Sequence, residues 1–359
     1  MVAAGGTGGP LFPAESLSAA LAKRGIATVL ATDNRAAKFG DHFKSLYVVP
    51  SATFRGRDPI SLLRTGSTLA YGLFKAVMMV RQVKPSVVVG FGGYPSVPPV
   101  FAASLLKIPT LLHEQNAVMG RANRFLASRV SAIATGFAGV TDKDKALAIK
   151  TTCIGNPLRP AVIAAADTPF EPVEPNGPLR ILVFGGSQGA SIMADIVPPA
   201  VAKLPPHLQM RLKIVQQVRE EDMARVRDIY TRAQVVHEIA PFFTDLPARM
   251  AASHLVVSRS GAGTVSELSA IGRPSILVPL PNALDQDQAE NALVLEKAGG
   301  AIRILQRDFT PDRLASDIDA LAADPDRLAL MASRAKGIGV LDAADRLADL
   351  VSKVARVAG

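Results

Sequence analysis

One cysteine in 359 residues, Cys153, leaves no partner for a disulfide and no cluster for a cysteine metal site. Its apolar surroundings at Thr152–Ile154 predict a small buried thiol. Tryptophan is absent, tyrosine occurs 4 times, and no basic run is interleaved with aromatics on which bases could stack, which argues against nucleic acid. The one long charge-free stretch, Pro85 to Leu106, does not read as a membrane span. Gly90, Gly92, Gly93, Pro95, Pro98 and Pro99 divide it into a buried strand, a loop over Phe91–Pro99 and a helix. No basic region follows Met1, so no secretory leader is expected and the expected compartment is the cytoplasm.

What is present is a globular composition, 48% hydrophobic and 20% charged, which excludes disorder, collagen and coiled coil. At roughly 150 residues per domain the length predicts two domains. The net charge of +9 is uneven: residues 1–166 hold 19 Lys+Arg against 7 Asp+Glu, and residues 167–359 hold 21 against 24. A basic half beside a mildly acidic one points to an anionic surface or a phosphorylated substrate for the first half.

Short β-branched runs alternate with helical stretches. Strands are expected at Ile26–Ala31, Leu46–Pro50, Val87–Phe91, Thr110–His113, Ala132–Thr135 and Thr152–Ile154. In the second half they are expected at Arg180–Phe184, Leu212–Val215, Val235–Ile239, Leu255–Ser258, Ser275–Pro279 and Ala301–Ile304. Strands separated by helices imply parallel, doubly wound α/β sheets. Asp167 to Pro178 holds four prolines in twelve residues and reads as a linker between two Rossmann-like domains, with ligands expected in the cleft that they face. Only Met1-Val-Ala-Ala precedes the first glycine turn, so the expectation is that the natural start codon lies upstream.

Glycine-rich turns recur at strand ends: Gly5–Gly9, Gly90–Gly93, Gly185–Ala190 and Ser260–Thr264. Such turns let backbone approach a ligand, and the following helix N-terminus offers free N–H groups suited to a diphosphate. No Gly-Lys-Ser/Thr follows any of them, and none matches the spaced dinucleotide fingerprint. Glu267, one turn into the helix after Ser258-Arg-Ser-Gly-Ala-Gly, suits a ribose diol or, equally, a helix-start acid stabilised by the dipole. His113-Glu-Gln-Asn116 places four polar groups at the end of the apolar strand Ile108–Leu112, where α/β sites are found. His42, His207, His237 and His254 stand alone and read as structural or surface residues. Asp285-Gln-Asp287 has the form of a cation pair, but Asp142-Lys-Asp144, Asp317-Ile-Asp319 and Asp324-Pro-Asp326 repeat the spacing without a third ligand, so no metal is expected.

Taken together, GGTGG at 5–9, GFGGYPSVP at 90–98, HEQNAVMGRANR at 113–124, GNPLR at 155–159, GGSQGA at 185–190, SRSGAGTVSE at 258–267 and DQDQAENA at 285–292 carry a resemblance over nearly the whole chain to the MurG family. These are the N-acetylglucosamine transferases of peptidoglycan synthesis. The resemblance implies a GT-B fold with an acceptor domain over 1–158, completed by a C-terminal helix at 340–359, and a donor domain over 159–339. It implies an inverting, metal-independent transfer, with no cofactor, of N-acetylglucosamine (GlcNAc) from UDP-GlcNAc to the 4-hydroxyl of an undecaprenyl-diphosphate-linked N-acetylmuramyl (MurNAc) pentapeptide, lipid I, giving lipid II.

Carried over by position, Gly5, Gly6, Gly8, Gly9, Gly92 and Gly93 would hold the acceptor diphosphate. Thr7, Gly8, Gly9 and Asn116 would also reach the donor. Ser187 and Gln188 would lie at the UDP diphosphate or sugar, and Arg159 would neutralise the leaving group. Ala262, Gly263 and Thr264 would supply backbone amides, Glu267 would take the ribose, and Asp287 and Gln288 the sugar hydroxyls. There is one departure: the histidine that the family carries after GGTGG, its candidate base, is Pro10 here. Proline fits a first helical turn but removes the imidazole, so Glu114 and His113 become the candidate replacements and reduced activity is expected.

The resemblance also implies peripheral attachment at the cytoplasmic face of the bacterial inner membrane, with further cell-wall or division proteins as candidate partners. The segment Ile60–Lys84, with Leu62, Leu63, Leu69, Leu73, Phe74, Val77 and Met78 punctuated by Arg64, Lys75, Arg81 and Lys84, reads either as a buried helix or as a basic apolar patch for anionic lipid. Leu341–Val357 reads as a terminal helix packing back on the first domain. Two other readings stand beside the transferase: a glycolipid transferase acting on diacylglycerol, against which HEQN and DQDQAENA argue, and a UDP-GlcNAc-binding scaffold without turnover.

Overall fold

The computed structural model describes residues 1–5, 8–33, 43, 45–48, 59–186, 189–281 and 286–357. The chain divides into two compact units, residues 1–159 with 341–359, and residues 160–340.

The first unit is built on seven parallel strands among the described residues. They are β1 Val2–Ala3, β2 Leu30–Thr32, β3 Leu46–Val48, β4 Val88–Gly90, β5 Thr110–Glu114, β6 Ala132–Thr135 and β7 Thr151–Cys153, in the order β3-β2-β1-β4-β5-β6-β7. The second carries β8 Leu179–Phe184, β9 Leu212–Gln217, β10 Val236–Ala240, β11 Leu255–Ser258, β12 Ser275–Leu277 and β13 Ala301–Arg303, in the order β10-β9-β8-β11-β12-β13. Each is the doubly wound α/β sheet that the alternating pattern implied.

Several strands are only two or three residues long, so burial on both faces rather than ladder length holds them. Val2, Ala3, Val88 and Val89 are at most 1% exposed. One face of the first sheet packs on the Gly8–Ala22 helix through Leu11, Leu17 and Leu21, joined there by Leu347, Ala348 and Val351 of the terminal helix Ala343–Val357. Arg24 pairs with Asp349 at 2.6 Å on the exposed rim of that contact. The other face packs on the helices Pro59–Val83, Val97–Leu105 and Arg121–Ala127. Each fully buried Leu, Val or Ile contributes about 1.5–3 kcal/mol, so these two layers dominate over any single exposed ion pair.

Three local expectations are corrected. Helix begins at Val97, inside the expected Phe91–Pro99 loop, because Pro98 and Pro99 occupy its first turn, where their missing N–H groups have no intrahelical acceptor. Cys153 is exposed, because β7 is the sheet edge and lacks a covering neighbour. The strand expected from Ile26 begins at Leu30, and Ile26 is 41% exposed.

The proline-rich segment is laced to the second unit rather than hanging free. Val173 joins its core, and Arg211 donates to the carbonyls of Gly177 (2.9 Å) and Glu174 (3.2 Å). Arg273, 1% exposed, donates to Thr168 O (3.1 Å), Pro169 O (3.0 Å), Ala251 O (2.9 Å), Ile271 O (3.0 Å) and Gly272 O (3.0 Å). Its guanidinium thus sits on carbonyls at the ends of the Leu246–Ala251 and Ala262–Ile271 helices, the favourable dipole end for a cation. Burial nevertheless pushes it down to about 10. Replacing it strands several buried acceptors at about 1–3 kcal/mol each. Arg273→Met is therefore expected to lower the calorimetric melting temperature of the second unit by about 5 °C or more. An unchanged transition would show that the bonds are not stabilising.

Candidate active site

A doubly wound sheet exposes ligand-binding backbone at the carboxyl ends of its strands, where the strand order reverses. In the first unit that point lies between β1 and β4, and in the second between β8 and β11. The four glycine turns lie at the carboxyl ends of these four strands.

In the first unit, Gly92 (φ +77°) and Gly93 (φ +73°) adopt the left-handed backbone that glycine alone takes freely. A Cβ on Gly93 would lie 3.5 Å from Gly5 Cα, so the turns after β1 and β4 touch. Ser96 Oγ donates to Gly93 O at 2.8 Å and fixes the second turn. Gly8, Gly9 and Pro10 open the Gly8–Ala22 helix, with open space around Gly9. Gly6 and Thr7 lie outside the described residues.

At the end of β5, the Glu114 carboxylate is 2% exposed and accepts four hydrogen bonds. They come from Asn116 N (3.0 Å), Asn116 Nδ2 (3.2 Å), Gly120 N (2.9 Å) and Asn123 Nδ2 (2.8 Å). Burial raises its pKa, and these donors oppose the rise. His113 is fully buried; Nε2 donates to Gly155 O at 3.1 Å and Nδ1 accepts from Gln115 Nε2 at 3.1 Å. Burial pushes the imidazole down to about 4. Both groups that the sequence offered as replacement bases are thus held in hydrogen bonds. Both ring nitrogens of His113 are engaged, and the Glu114 carboxylate is spent on closing the 114–123 turn.

That turn gathers the neighbouring motifs. Asn156 Nδ2 donates to Gln115 O at 2.9 Å, Ser16 Oγ donates to Leu158 O at 3.0 Å, and the Arg159 guanidinium lies 4.8 Å over the Phe12 ring. Residues 155–159 are therefore stitched to both the β5 end and the first helix. Asn123, which motif reading left without a role, links two motifs: it binds Glu114, and a Cβ on Gly92 would lie 3.3 Å from its Nδ2.

In the second unit, a Cβ on Gly185 would come within 2.3 Å of Ala190 N, so only glycine closes the turn after β8. Gly186 (φ +90°) and Gly189 (φ +67°) are left-handed. The Ser191–Ala202 helix starts on Ala190 and the Ala262–Ile271 helix on Gly261. Neither start has a side-chain cap or an acidic residue in its first turn. Ala262, Gly263 and Thr264 thus present first-turn N–H groups unclaimed by a cap. Glu267 is half-buried one turn further on. Ser187 and Gln188 lie outside the described residues, as does Asp285.

Gln288 is oriented rather than loose. Its Oε1 accepts from Leu280 N at 3.0 Å and its carbonyl accepts from Ser260 Oγ at 2.8 Å, which ties the start of the Asp287–Lys297 helix to the turn after β11. Asp287 Oδ1 accepts from Gln288 N at 2.8 Å. Arg259, 8% exposed, donates to Val278 O (3.1 Å), Pro279 O (3.0 Å) and Gln306 Oε1 (2.6 Å). Its place in the SRSGAG run was a visible signal without a role. Gln217, which accepts from Gly185 N at 3.2 Å, gave no signal at all. Among the described residues, no group of three or more His, Cys, Asp or Glu side chains is placed to hold a metal ion, and no helix is long and apolar enough to cross a membrane.

Two doubly wound units with paired glycine turns at both switch points have the GT-B architecture, and two family models make the chain a glycosyltransferase. The family 28 N-terminal domain matches residues 1–135 and the family 28 C-terminal domain residues 180–347. Within that class the chain belongs to the MurG family. It is 62% identical over 359 residues to a UDP-N-acetylglucosamine–N-acetylmuramyl-(pentapeptide) pyrophosphoryl-undecaprenol N-acetylglucosamine transferase of Rhodopseudomonas palustris strain BisA53, covering 99% of this chain and 96% of the relative. A transferase of the same name from Bradyrhizobium diazoefficiens is 60% identical over 357 residues, covering 99% and 98%. The crystal structure of Acinetobacter baumannii MurG superposes with a TM-score of 0.81 at 26% identity, covering 98% of both chains.

The neutral, buried state of His113 has a measurable consequence. Below its ordinary pKa the unfolded chain binds a proton that the folded chain refuses, so its contribution is complete above that value and is lost as pH falls toward about 4. The difference in denaturant-derived stability between wild type and His113→Asn is expected to shrink by up to about 3 kcal/mol between pH 7 and pH 4. Parallel pH profiles would show that the ring is not held neutral.

Proposed function

We propose that the chain moves N-acetylglucosamine from UDP-GlcNAc to the 4-hydroxyl of undecaprenyl-diphospho-MurNAc-pentapeptide with inversion, converting lipid I to lipid II and releasing UDP. The observation that carries the reading is the pair of glycine turns at the switch point of each unit, one pair for each of two diphosphate substrates. In the second unit, the N–H groups of Ala262, Gly263 and Thr264 and the turn 185–190 hold the donor, and Glu267 accepts from the ribose diol. Gln288, whose Oε1 is already bonded to Leu280 N, presents its amide N–H groups to the sugar hydroxyls beside Asp287. In the first unit, Gly5, Gly8, Gly9, Gly92 and Gly93 hold the acceptor diphosphate, and Asn116, its amide steered by Glu114, faces the reacting sugars. As the C1–oxygen bond to UDP breaks, negative charge grows on the departing diphosphate. Helix-start N–H groups and Arg159 stabilise it without a resident metal or other cofactor.

The acceptor hydroxyl must also lose a proton. Pro10 supplies no base, and His113 and Glu114 are engaged elsewhere. We therefore read turnover as slow, the proton passing to solvent. Restoring the imidazole with Pro10→His is expected to raise UDP release with a soluble lipid I analogue by about 10²–10⁴-fold. Equal rates would show that another group is the base. Binding of UDP-GlcNAc without turnover by either protein would favour the scaffold reading.

We place the enzyme peripherally on the cytoplasmic face of the membrane. Tyr71 (53%), Phe74 (62%) and Met78 (51%) project from one face of the Pro59–Val83 helix, while Ala76, Met79 and Val80 bury the other. That helix packs on Val97–Leu105, which carries exposed Leu105; the exposed bases Arg81, Lys84 and Lys107 lie on these two helices or at their ends, and exposed Arg129 lies 5.3 Å over the Phe101 ring. An exposed apolar surface with basic side chains suits anionic lipid. Phe74→Ser with Met78→Ser is expected to abolish sedimentation with vesicles containing about 30% phosphatidylglycerol while leaving turnover on the soluble analogue within about twofold. Retained sedimentation would place the membrane contact elsewhere.

A further inference from the structure

We propose that Arg219 is a donor-binding residue that contacts the diphosphate of UDP-GlcNAc from the flank of the turn 185–190; this rests on the reading that the donor diphosphate lies on that turn. Arg219 lies two residues past the end of β9, the strand that pairs with β8 on the side away from β11, so its Cα stands at the same carboxyl edge as the glycine turn. The backbone around it is anchored. Val218 N donates to Ala240 O at 3.0 Å, Asp222 N donates to Arg219 O at 2.9 Å, and the Gln217 side chain accepts from Gly185 N at 3.2 Å.

From that root the side chain lies over Gly189. A Cβ there would sit 3.3 Å from Arg219 Cγ and 3.7 Å from Nε, and Gly189 is itself left-handed at φ +67°. Two independent demands, the backbone conformation and the arginine stem, therefore meet at one glycine. The stem brings a guanidinium to a turn that contains no lysine and leads into a helix with no acidic residue in its first turn.

The guanidinium is available for exchange. Its ion pair among the described residues, with Glu221, spans 3.8 Å between side chains 41% and 70% exposed. Such an exposed pair is worth about 1 kcal/mol or less. A diphosphate offers more charge and the oxygen geometry that a guanidinium matches in a bidentate manner. The turn thus combines helix-start N–H groups with an exposed cation rooted in anchored backbone, which supplies the positive charge that the Lys-free turn lacks.

The test is calorimetric titration of UDP and UMP into the full-length protein, its Arg219→Ala and Arg219→Lys variants, and Glu221→Gln, with amide spectra of the glycine turn recorded in parallel. Arg219→Ala is expected to weaken UDP binding about tenfold, the loss of one charge-assisted contact, and UMP by less than about threefold. It should also flatten the salt dependence of UDP binding. Arg219→Lys should recover part of the loss, and Glu221→Gln should bind UDP at least as tightly as wild type. Because Arg219 is exposed, its melting temperature should not move. If UDP shifts the Gly186 and Gly189 amides but Arg219→Ala binds UDP within twofold of wild type, the assignment of Arg219 is overturned while the donor turn stands. If UDP leaves those amides unmoved in the wild type, the donor-turn reading itself fails, and the assignment with it.

Discussion

Every N–H and C=O of a parallel sheet covered on both faces must be paired inside the sheet, because no water reaches it. The chain can therefore offer unpaired polar backbone to a substrate only where strands stop. In both units the strand order reverses at one point, between β1 and β4 and between β8 and β11, and the two neighbouring turns there lead away in opposite directions. That constraint explains why the glycines gather where they do. A turn that folds back as tightly as Gly185 on Ala190 has no room for a Cβ, and the turn that brings Gly93 against Gly5 needs a left-handed backbone.

Closing such turns leaves polar groups under them, and buried charges take up that task. Glu114 collects four N–H donors from one turn, and Arg259 ties the segment after β12 to the turn after β11. Arg273 does the same for the proline-rich segment at the other end of the second unit. Each of these charges hydrogen-bonds to uncharged amides and carbonyls, and matching charge with dipoles limits the desolvation penalty. The same packing constrains the site: burial keeps the His113 imidazole neutral, and four donors fix the position of the Glu114 carboxylate.

Much of this was legible in the residues. Alternation of β-branched runs with helical stretches gave the two parallel sheets, and the motif set gave the family. The boundaries moved where a local rule met a tertiary one. Pro98 and Pro99 look like loop punctuation but serve as helix openers, and Cys153 looks like core but lies on an edge strand. Residues 167–178 look like a free linker, but Arg273, Arg211 and the burial of Val173 fasten them down. Within the site, the turn glycines and Gln288 were visible from their motifs. Gln217 and Arg219 were not, because each meets its turn through a neighbour about thirty positions away in sequence, and Asn123, though inside a motif, had no role until its contacts with Glu114 and Gly92 were seen.

The amino-acid sequence by itself determined the class of sheet, the number of units, the family and the positions of the glycine turns. Those features rest on periodicity and on glycine's unique backbone freedom, both of which are local. The tertiary structure decided which polar side chains are free to act. His113 and Glu114 carry the same side chains whether buried or exposed, and only their surroundings bury them and tie them into hydrogen bonds. Solvent access and hydrogen-bond partners are properties of packing, and packing joins residues, such as Gly189 and Arg219, that the linear order keeps thirty positions apart.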